Sequence, residues 1–160
     1  MIRLMTEDDI PVVLSFIHKT IREDPHYNVH QQNLLISYAT PLAMQTAINN
    51  AHTVVYVDDD ILDVDIHRVV GMASIASNFI LYMFVDPLEQ GKGIGQSLYD
   101  HLEKYARLHN KFVNKNKLLV FSTENAVNFY KKQGFEEKER INHVDNGQTI
   151  IRVRMEKYLA

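Results

Sequence analysis

The chain has 160 residues, of which 46% are hydrophobic and 23% are charged, with a net charge of -3. A chain of this length buries about 70% of its unfolded surface as one domain, here residues 1–160, and needs no metal or disulfide for stability. The mild acidity excludes a general attraction to nucleic acid, and no apolar run approaches the roughly 18 residues of a membrane span. With no cysteine and no leader pattern, we expect a cytoplasmic protein without nucleic-acid or membrane partners.

The first fifty residues favour a strand followed by helices. Residues 2–5 indicate a short strand, and Thr6 with Asp9 three residues later resembles a helix cap. Apolar residues then recur every three or four positions, which predicts an amphipathic helix that ends near residues 24–25. A second helical region is predicted over residues 31–48, where Pro41 either starts its last part or breaks it.

Strand patterns dominate the middle and the end of the chain. Residues 52–57 and 68–76 predict a hairpin, and the acidic run between them is read as a solvated hairpin end. Residues 79–85 are apolar on both faces, which predicts a strand in the middle of the sheet. Residues 140–157 predict a second hairpin that turns at Asn146 and Gly147.

A glycine-rich segment, QGKGIG, follows the predicted central strand and precedes a helix whose apolar face carries Leu98, Leu102 and Tyr105. The first amides of a helix lack partners and lie at its positive end, and glycine lets phosphate oxygens approach the backbone. Lys92 adds a mobile cation. The segment therefore predicts a site for a pyrophosphate, although glycines that only allow a tight strand-helix turn remain an alternative.

The spacing of the segment discriminates between phosphate-binding motifs. The dinucleotide pattern G-x-G-x-x-G fails because Gln96 and Leu98 occupy its third glycine position, and the P-loop pattern also fails. The pattern Q-x-x-G-x-G does match, at Gln90, Gly93 and Gly95. It resembles the acyl-CoA pyrophosphate loop of the GNAT superfamily of N-acetyltransferases.

A second segment, KLLVFSTENAVNFYKKQGF, carries the same resemblance about thirty residues later. Residues 117–121 predict a buried strand, and a helix is expected to start near residues 122–125 and to stop at Gly134. The segment is similar to the second GNAT signature, in which an asparagine contacts the CoA arm and a tyrosine reaches the sulfur. Asn125 and Tyr130 stand at those positions.

The resemblance implies an α/β fold with a GNAT-like mixed, mostly antiparallel central sheet and helices on both faces. Its two central strands would splay apart and admit the pantetheine arm of acetyl-CoA, the implied co-substrate. It also implies transfer of the acetyl group to a primary amine of a small molecule or peptide by direct attack on the thioester, and a possible homodimer. The implied cofactor contacts are Met83, Phe84, Val85, Gln90, Gly91, Lys92, Gly93, Ile94, Gly95, Gln96 and Asn125.

The resemblance assigns part of the chemistry. A backbone N–H of Met83 or Val85 would polarise the thioester carbonyl. Tyr130 is the general-acid candidate: phenols titrate near pH 10, against about 8.5 for thiols, so it holds its proton at neutral pH and can hydrogen-bond or protonate the sulfur. The glutamate that many family members carry on the central strand is replaced by Phe79, so no base is assigned. A non-catalytic acyl-CoA-binding or sensing domain is therefore the alternative.

Acceptor contacts are expected mainly within residues 21–65, where such proteins vary and which include the segment DPHYNVH, and in the carboxy-terminal hairpin of residues 140–157. His26, Tyr27 and His30 are candidate substrate contacts, because histidine titrates near neutral pH. The spacing of His26 and His30 also suits a zinc site, but Tyr27 replaces the glutamate of H-E-x-x-H and no third ligand is indicated. We therefore predict no metal.

Overall fold

The computed structural model describes residues 1–59, 68–109 and 116–159. Its strands are β1 (Ile2–Leu4), β2 (His52–Asp58), β3 (Arg68–Ala76), β4 (Phe79–Val85), β5 (Lys117–Thr123), β6 (Glu136–Asp145) and β7 (Gln148–Tyr158). Its helices are α1 (Ile10–Glu23), α2 (Val29–Tyr38), α3 (Pro41–Asn50), α4 (Ile94–His109) and α5 (Val127–Lys132).

The strands form one seven-stranded sheet in the order β1-β2-β3-β4-β5-β7-β6. Neighbouring strands pair in antiparallel fashion except β4 and β5, which are parallel. The predicted mixed, mostly antiparallel sheet is confirmed. The central place of β4 is confirmed as well, and it follows from a strand that is apolar on both faces and must be covered on both.

Helices cover both faces of the sheet, as predicted. On one face, Leu98 and Leu102 of α4 share a core with Ile80 of β4. On the other face, Ile17 of α1 and Met44 of α3 share a second core with side chains of β2 and β3. All four of these apolar side chains from α1, α3 and α4 are at most 1% exposed. No helix in residues 1–59, 68–109 and 116–159 is long and apolar enough to cross a bilayer.

A glycine on β3 sets how closely α4 lies on the sheet. A Cβ atom at Gly71 would lie 3.0 Å from Leu98, 3.1 Å from Ile94 and 3.3 Å from the carbonyl oxygen of Phe84. Any side chain at this position would push the helix away, since these distances are shorter than ordinary van der Waals contact. Gly71 therefore sets the distance between the N-terminal part of α4 and the sheet.

Two predicted helix boundaries differ from the structure. The helical region of residues 31–48 is two helices, and Pro41 opens the second, where Thr40 accepts a 3.1 Å hydrogen bond from the amide of Ala43. The helix predicted to begin at residues 122–125 begins later, because β5 continues to Thr123 and a 3-10 turn follows. The earlier start was wrong because Ser122 and Thr123 pair with β7, a tertiary contact that overrides local preference.

Both predicted hairpins are confirmed by antiparallel pairing, of β2 with β3 and of β6 with β7. The second turns at Asn146 and Gly147, whose φ angles of 49° and 74° are those of a tight two-residue turn. Most of the acidic run in the first hairpin, within residues 60–67, lies outside the described residues.

Candidate active site

The two parallel central strands part before they end. Their register pairs Phe79 with Leu119 and Ile80 with Val120. Within the described residues no further pair joins them, although β4 runs on to Val85 and β5 to Thr123. The predicted splay is therefore present, as a gap that opens toward the carboxyl ends of both strands.

Backbone amides of β4 face this gap. The amide of Asp86 donates to the carbonyl of Val70 on β3 at 2.8 Å, and Val85 lies opposite Gly71. Hydrogen-bonding direction alternates along an antiparallel strand, so the amides of Val85 and Met83 point away from β3. These two N–H groups are therefore directed into the space that β5 has left.

The loop after β4 is shaped by local hydrogen bonds and by glycine. The Asp86 carboxylate accepts from the amide of Leu88 at 3.0 Å, and the Gln90 side chain donates to the carbonyl of Val85 at 3.3 Å. Gly91 and Gly93 both have φ of 82°, and a Cβ at either would meet no heavy atom within 4 Å. Glycine is thus required by the backbone, and its bare side leaves open space.

The N-terminus of α4 lies beside that space. Its first backbone hydrogen bond runs from the amide of Ser97 to the carbonyl of Gly93 at 3.0 Å. The amides of Ile94, Gly95 and Gln96 precede this bond, at the positive end of a sixteen-residue helix. Bare glycine backbone next to amides of this kind fits a pyrophosphate, the group expected here.

Lys92 is held by a carboxylate beside the loop. Its ammonium group lies 2.6 Å from Glu89, which also lies 2.6 Å from Arg68. The hydrogen bond from Lys92, the largest influence, holds the pKa of the buried Glu89 carboxyl below its usual range. Lys92 is not among the described residues that line the cavity, so its contact with a phosphate stays a prediction.

A cavity of about 600 Å³ extends from this loop to the junction of α1 and α2. Its loop half is lined by Met83, Val85, residues 89–91 and 93–96, Ala126, Phe129 and Tyr130. Its distal half is lined by Ile17, Thr20, Ile21, Asp24, Tyr27, Leu35, Tyr38, Ala39, Met44 and Arg152. Between the two halves lie Tyr82 and Phe84 of β4, Thr123 at the end of β5, and Asn125, which follows β5. A volume of this size suits a small ligand or part of a larger one.

Tyr130 contributes a buried hydroxyl to the loop half. Its side chain is 5% exposed, and its ring packs edge-on against Phe129 and Phe135, with centroids 5.2 and 5.4 Å away. Burial raises the pKa of Tyr130 above its usual range. In the part of the chain that the structure describes, the hydroxyl has no hydrogen-bond partner, so it is a protonated donor that a ligand can engage.

Asn125 links the two halves. Its side-chain amide donates to Asp24 at 2.6 Å, and its carbonyl oxygen accepts from the Thr123 hydroxyl at 2.5 Å. The Asp24 side chain is only 9% exposed, so this bond lies at the cavity wall rather than in open solvent. Asn125 therefore ties the end of α1 to the start of the α5 region.

The structure separates the three residues predicted to contact substrate. Tyr27 lines the distal half, and burial raises the pKa of its hydroxyl. His26 is 54% exposed and its ring lies 3.0 Å from Asp24. Neither His26 nor His30 is among the described residues that line the cavity. Of the three candidates, Tyr27 is thus the one found among the described residues of the cavity wall.

Sequence reasoning missed several polar side chains of the distal half, among them Asp24, Tyr38 and Arg152. Arg152 lies on β7 opposite Thr123, and α2 docks on the same strand through a 2.9 Å hydrogen bond from Gln31 to the carbonyl of Thr149. Each of the three was read only as part of a helix end, a helix or a hairpin strand. No linear motif joins them, because they come from distant segments.

Phe79 stands at the closed end of the gap, where β4 and β5 still pair. Its ring lies 5.2 Å from that of Phe121, and it is not among the described residues of the cavity wall. Asp24, Glu89 and Arg152 are the charged residues within the described lining. Residues 1–59, 68–109 and 116–159 contain no group of three His, Cys, Asp or Glu side chains suited to a metal ion.

Comparisons with solved structures find the same fold in acetyltransferases. A GCN5-related N-acetyltransferase from Rhodopseudomonas palustris is 23% identical, with a TM-score of 0.85, and the match covers 99% of this chain and 95% of that one. The PaiA N-acetyltransferase from Thermoplasma acidophilum, solved with coenzyme A, is 15% identical with a TM-score of 0.74, over 99% and 98% of the two chains. YncA from Salmonella typhimurium, a putative acetyltransferase solved with acetyl-CoA, is 17% identical with a TM-score of 0.66, over 100% and 94%.

Comparison with protein families identifies the group to which the chain belongs. A search of curated proteins finds no match. The family model described as an acetyltransferase (GNAT) domain matches residues 21–159, which include β4, the glycine loop and the segment of Asn125 and Tyr130. The chain therefore belongs to the GNAT family of acetyltransferases and is an acyltransferase.

Proposed function

We propose that this protein transfers the acetyl group of acetyl-CoA to a primary amine by direct attack of the amine on the thioester. One observation carries the proposal. The gap between β4 and β5 opens into a cavity whose described lining includes bare loop backbone, the end of β4 and Tyr130. These groups supply an anion site, amide donors for the thioester carbonyl and a proton for the sulfur.

Gly91, Gly93 and the first amides of α4 bind the pyrophosphate of the co-substrate. Support comes from the two positive φ angles and from the open space on the side where a Cβ would point. Helix N-terminal amides provide several donors to one anion without a charged side chain. The pantetheine arm passes into the gap beside Met83 and Val85, where β5 no longer pairs with β4.

The amides of Met83 and Val85 hydrogen-bond the thioester carbonyl oxygen as negative charge develops on it. Such preorganised donors strengthen as the charge grows, which lowers the barrier to attack. Tyr130 donates a proton to the departing sulfur, and the proton that the attacking nitrogen loses passes to solvent, from which the tyrosinate is reprotonated. Its raised pKa keeps the hydroxyl protonated at neutral pH, and its lack of a partner among the described residues leaves the proton free to move.

Substitution of Tyr130 tests the proposal. Purified protein is incubated with acetyl-CoA and a panel of primary amines, and thiol release is measured against hydrolysis without amine. We expect Tyr130→Phe to lower kcat by about 100-fold with acetyl-CoA affinity retained, because only the proton donor is removed. Tyr99→Phe removes the hydroxyl of another buried tyrosine, which donates to Glu103 at 3.0 Å outside the cavity, and serves as the matched control.

Two results would contradict parts of the proposal. An unchanged kcat in Tyr130→Phe would remove the tyrosine from the chemistry. Tight binding of acetyl-CoA without turnover of any amine would favour the non-catalytic acyl-CoA-binding alternative, which the phenylalanine at position 79 first suggested.

A further inference from the structure

The two halves of the cavity differ in how their charged side chains are paired. Three described residues of the cavity wall carry charge. Glu89 is neutralised by Arg68 and Lys92, each at 2.6 Å. Both oxygens of Asp24 accept hydrogen bonds, one from Asn125 and the other from the backbone and ring of His26. Arg152 is the remaining charge.

Arg152 is a partly buried cation that has no partner among the described residues. In residues 1–59, 68–109 and 116–159 its guanidinium makes no hydrogen bond and no ion pair within 4.0 Å. Arginine that is withdrawn from water is normally paired with an anion, since a lone charge there is costly. Arg154, two residues further along the same strand, does have partners. It lies 2.7 Å from Glu156 and 3.4 Å from Glu139.

Arg152 lies in the wall of the distal half of the cavity. On β7 it lies opposite Thr123, next to the junction that carries Asn125. Its charge acts on both phenols of the distal half, opposing the rise that burial causes in the pKa of Tyr27 and that the hydrogen bond to Asp145 causes in the pKa of Tyr38. Arg152, Tyr27 and Tyr38 thus line the same cavity and interact electrostatically.

We propose that the acceptor is an aminocarboxylate, an amino acid or close analogue, whose carboxylate pairs with Arg152. This proposal rests on the proposed acetyl transfer and specifies its acceptor. The planar fork of arginine binds a carboxylate through two parallel hydrogen bonds. Asp24 lies in the same half, and its oxygens keep lone pairs that attract the ammonium form of the amine before it loses its proton. Ile17, Ile21 and Leu35 enclose the apolar part of the acceptor.

The test compares acceptors that differ only in the carboxylate. Amino acids such as leucine and methionine are each assayed beside the corresponding amide and the decarboxylated amine, with acetyl-CoA saturating. We expect kcat/KM to be about 10- to 100-fold higher for at least one amino acid than for its neutral analogues, the range for a charge-assisted pair. Arg152→Gln should remove that preference, and Arg152→Lys should restore part of it.

Arg154→Gln is the matched control, because it removes an arginine from the same strand whose partners lie outside the cavity. It should leave the preference unchanged. Thermal melting of all three variants confirms that each is folded before the kinetics are compared.

A binding measurement separates this inference from the proposed function. Calorimetry of the protein with coenzyme A present, titrated with the same amino acids and amides, reports the Arg152 contact whether or not acetyl transfer occurs. Carboxylate-dependent binding that Arg152→Gln abolishes supports the inference even if no amine is acetylated. It is overturned if acetylated amines show no preference for a carboxylate, if no amino acid binds or reacts, or if Arg152→Gln leaves the preference intact.

Discussion

The loop half of the cavity is made mostly of backbone that is contiguous in sequence, whereas the distal half is made of side chains from α1, α2 and β7. In the loop half, glycine conformation and helix amides are proposed to bind the pyrophosphate, and the pattern Q-x-x-G-x-G predicts them from the sequence. In the distal half, the packing of α2 on β7 brings three distant side chains into one cavity wall, namely Asp24, Tyr38 and Arg152. Recognition of the proposed co-substrate therefore depends on local backbone conformation, whereas the acceptor end depends on side chains that only folding brings together.

The largest expected effect is on acetyl-CoA affinity and comes from placing a carboxylate in the glycine loop. Gly93→Asp puts a negative charge where the pyrophosphate is proposed to bind and strains a backbone with φ of 82°. We expect acetyl-CoA affinity to fall by at least about 100-fold in calorimetry, because charge repulsion adds to lost amide contacts.

Gly147→Asp is the control for backbone strain, since Gly147 has φ of 74°, equally open surroundings and a place in the remote β6-β7 turn. It should bind acetyl-CoA like the wild type. Equal loss of binding in both variants would mean that strain, rather than the ligand site, explains the effect.

The next effect concerns how the loop half is supported. Gly71→Ala introduces a Cβ within 3.0 to 3.3 Å of Leu98, Ile94 and the Phe84 carbonyl. Both side chains are buried and cannot easily move, so we expect a loss of about 2 kcal/mol in the free energy of unfolding, measured in urea. Gly95→Ala meets its neighbours only at 3.7 Å and lacks a positive φ, and it should change stability by less than about 0.5 kcal/mol. Equal stabilities for the two variants would contradict the close contact of α4 with β3.

A smaller effect is expected at the link between the halves. The hydrogen bond from Asn125 to Asp24 joins them across the cavity wall at 2.6 Å. A double-mutant cycle with Asp24→Ala and Asn125→Ala should give a coupling of about 1 kcal/mol in urea unfolding, because one partner is charged and the bond is partly shielded. Additive losses would indicate that the two halves fold together without this contact.

The smallest expected effect is the response to acid of a histidine pair between β2 and α4, which is not among the described residues of the cavity lining. His52 and His101 lie 3.0 Å apart where β2 meets α4, and burial lowers the pKa of both rings. A lowered folded-state pKa means that the unfolded chain binds more protons, so stability falls as pH drops below the ordinary value of about 6.5. We expect the thermal midpoint to drop by about 1 to 2 °C more in the wild type than in His101→Gln between pH 7 and 5.5. Parallel curves would show that this pair does not set the acid response.

Local patterns predicted much of the fold and the part of the site that lies in one segment. The central place of β4, the β6-β7 hairpin and the turn of the glycine loop follow from short stretches of sequence. The resemblance to the family selected Tyr130, which lines the cavity. The start of the α5 region was wrong because pairing of Ser122 and Thr123 with β7 extends β5. His26 and His30 were chosen by their segment alone, whereas the structure puts Tyr27 at the cavity wall.

The sequence by itself determined the order of strands and helices, the acetyltransferase family and the glycine backbone proposed to bind the pyrophosphate, because these depend on residues close together in the chain. Only the tertiary structure decided that Arg152 stands without a partner among the described residues while Arg154 is paired, although both are arginines of one strand. Alternation places both on the same face of β7, and what each meets there depends on segments that are remote in sequence and joined only by folding.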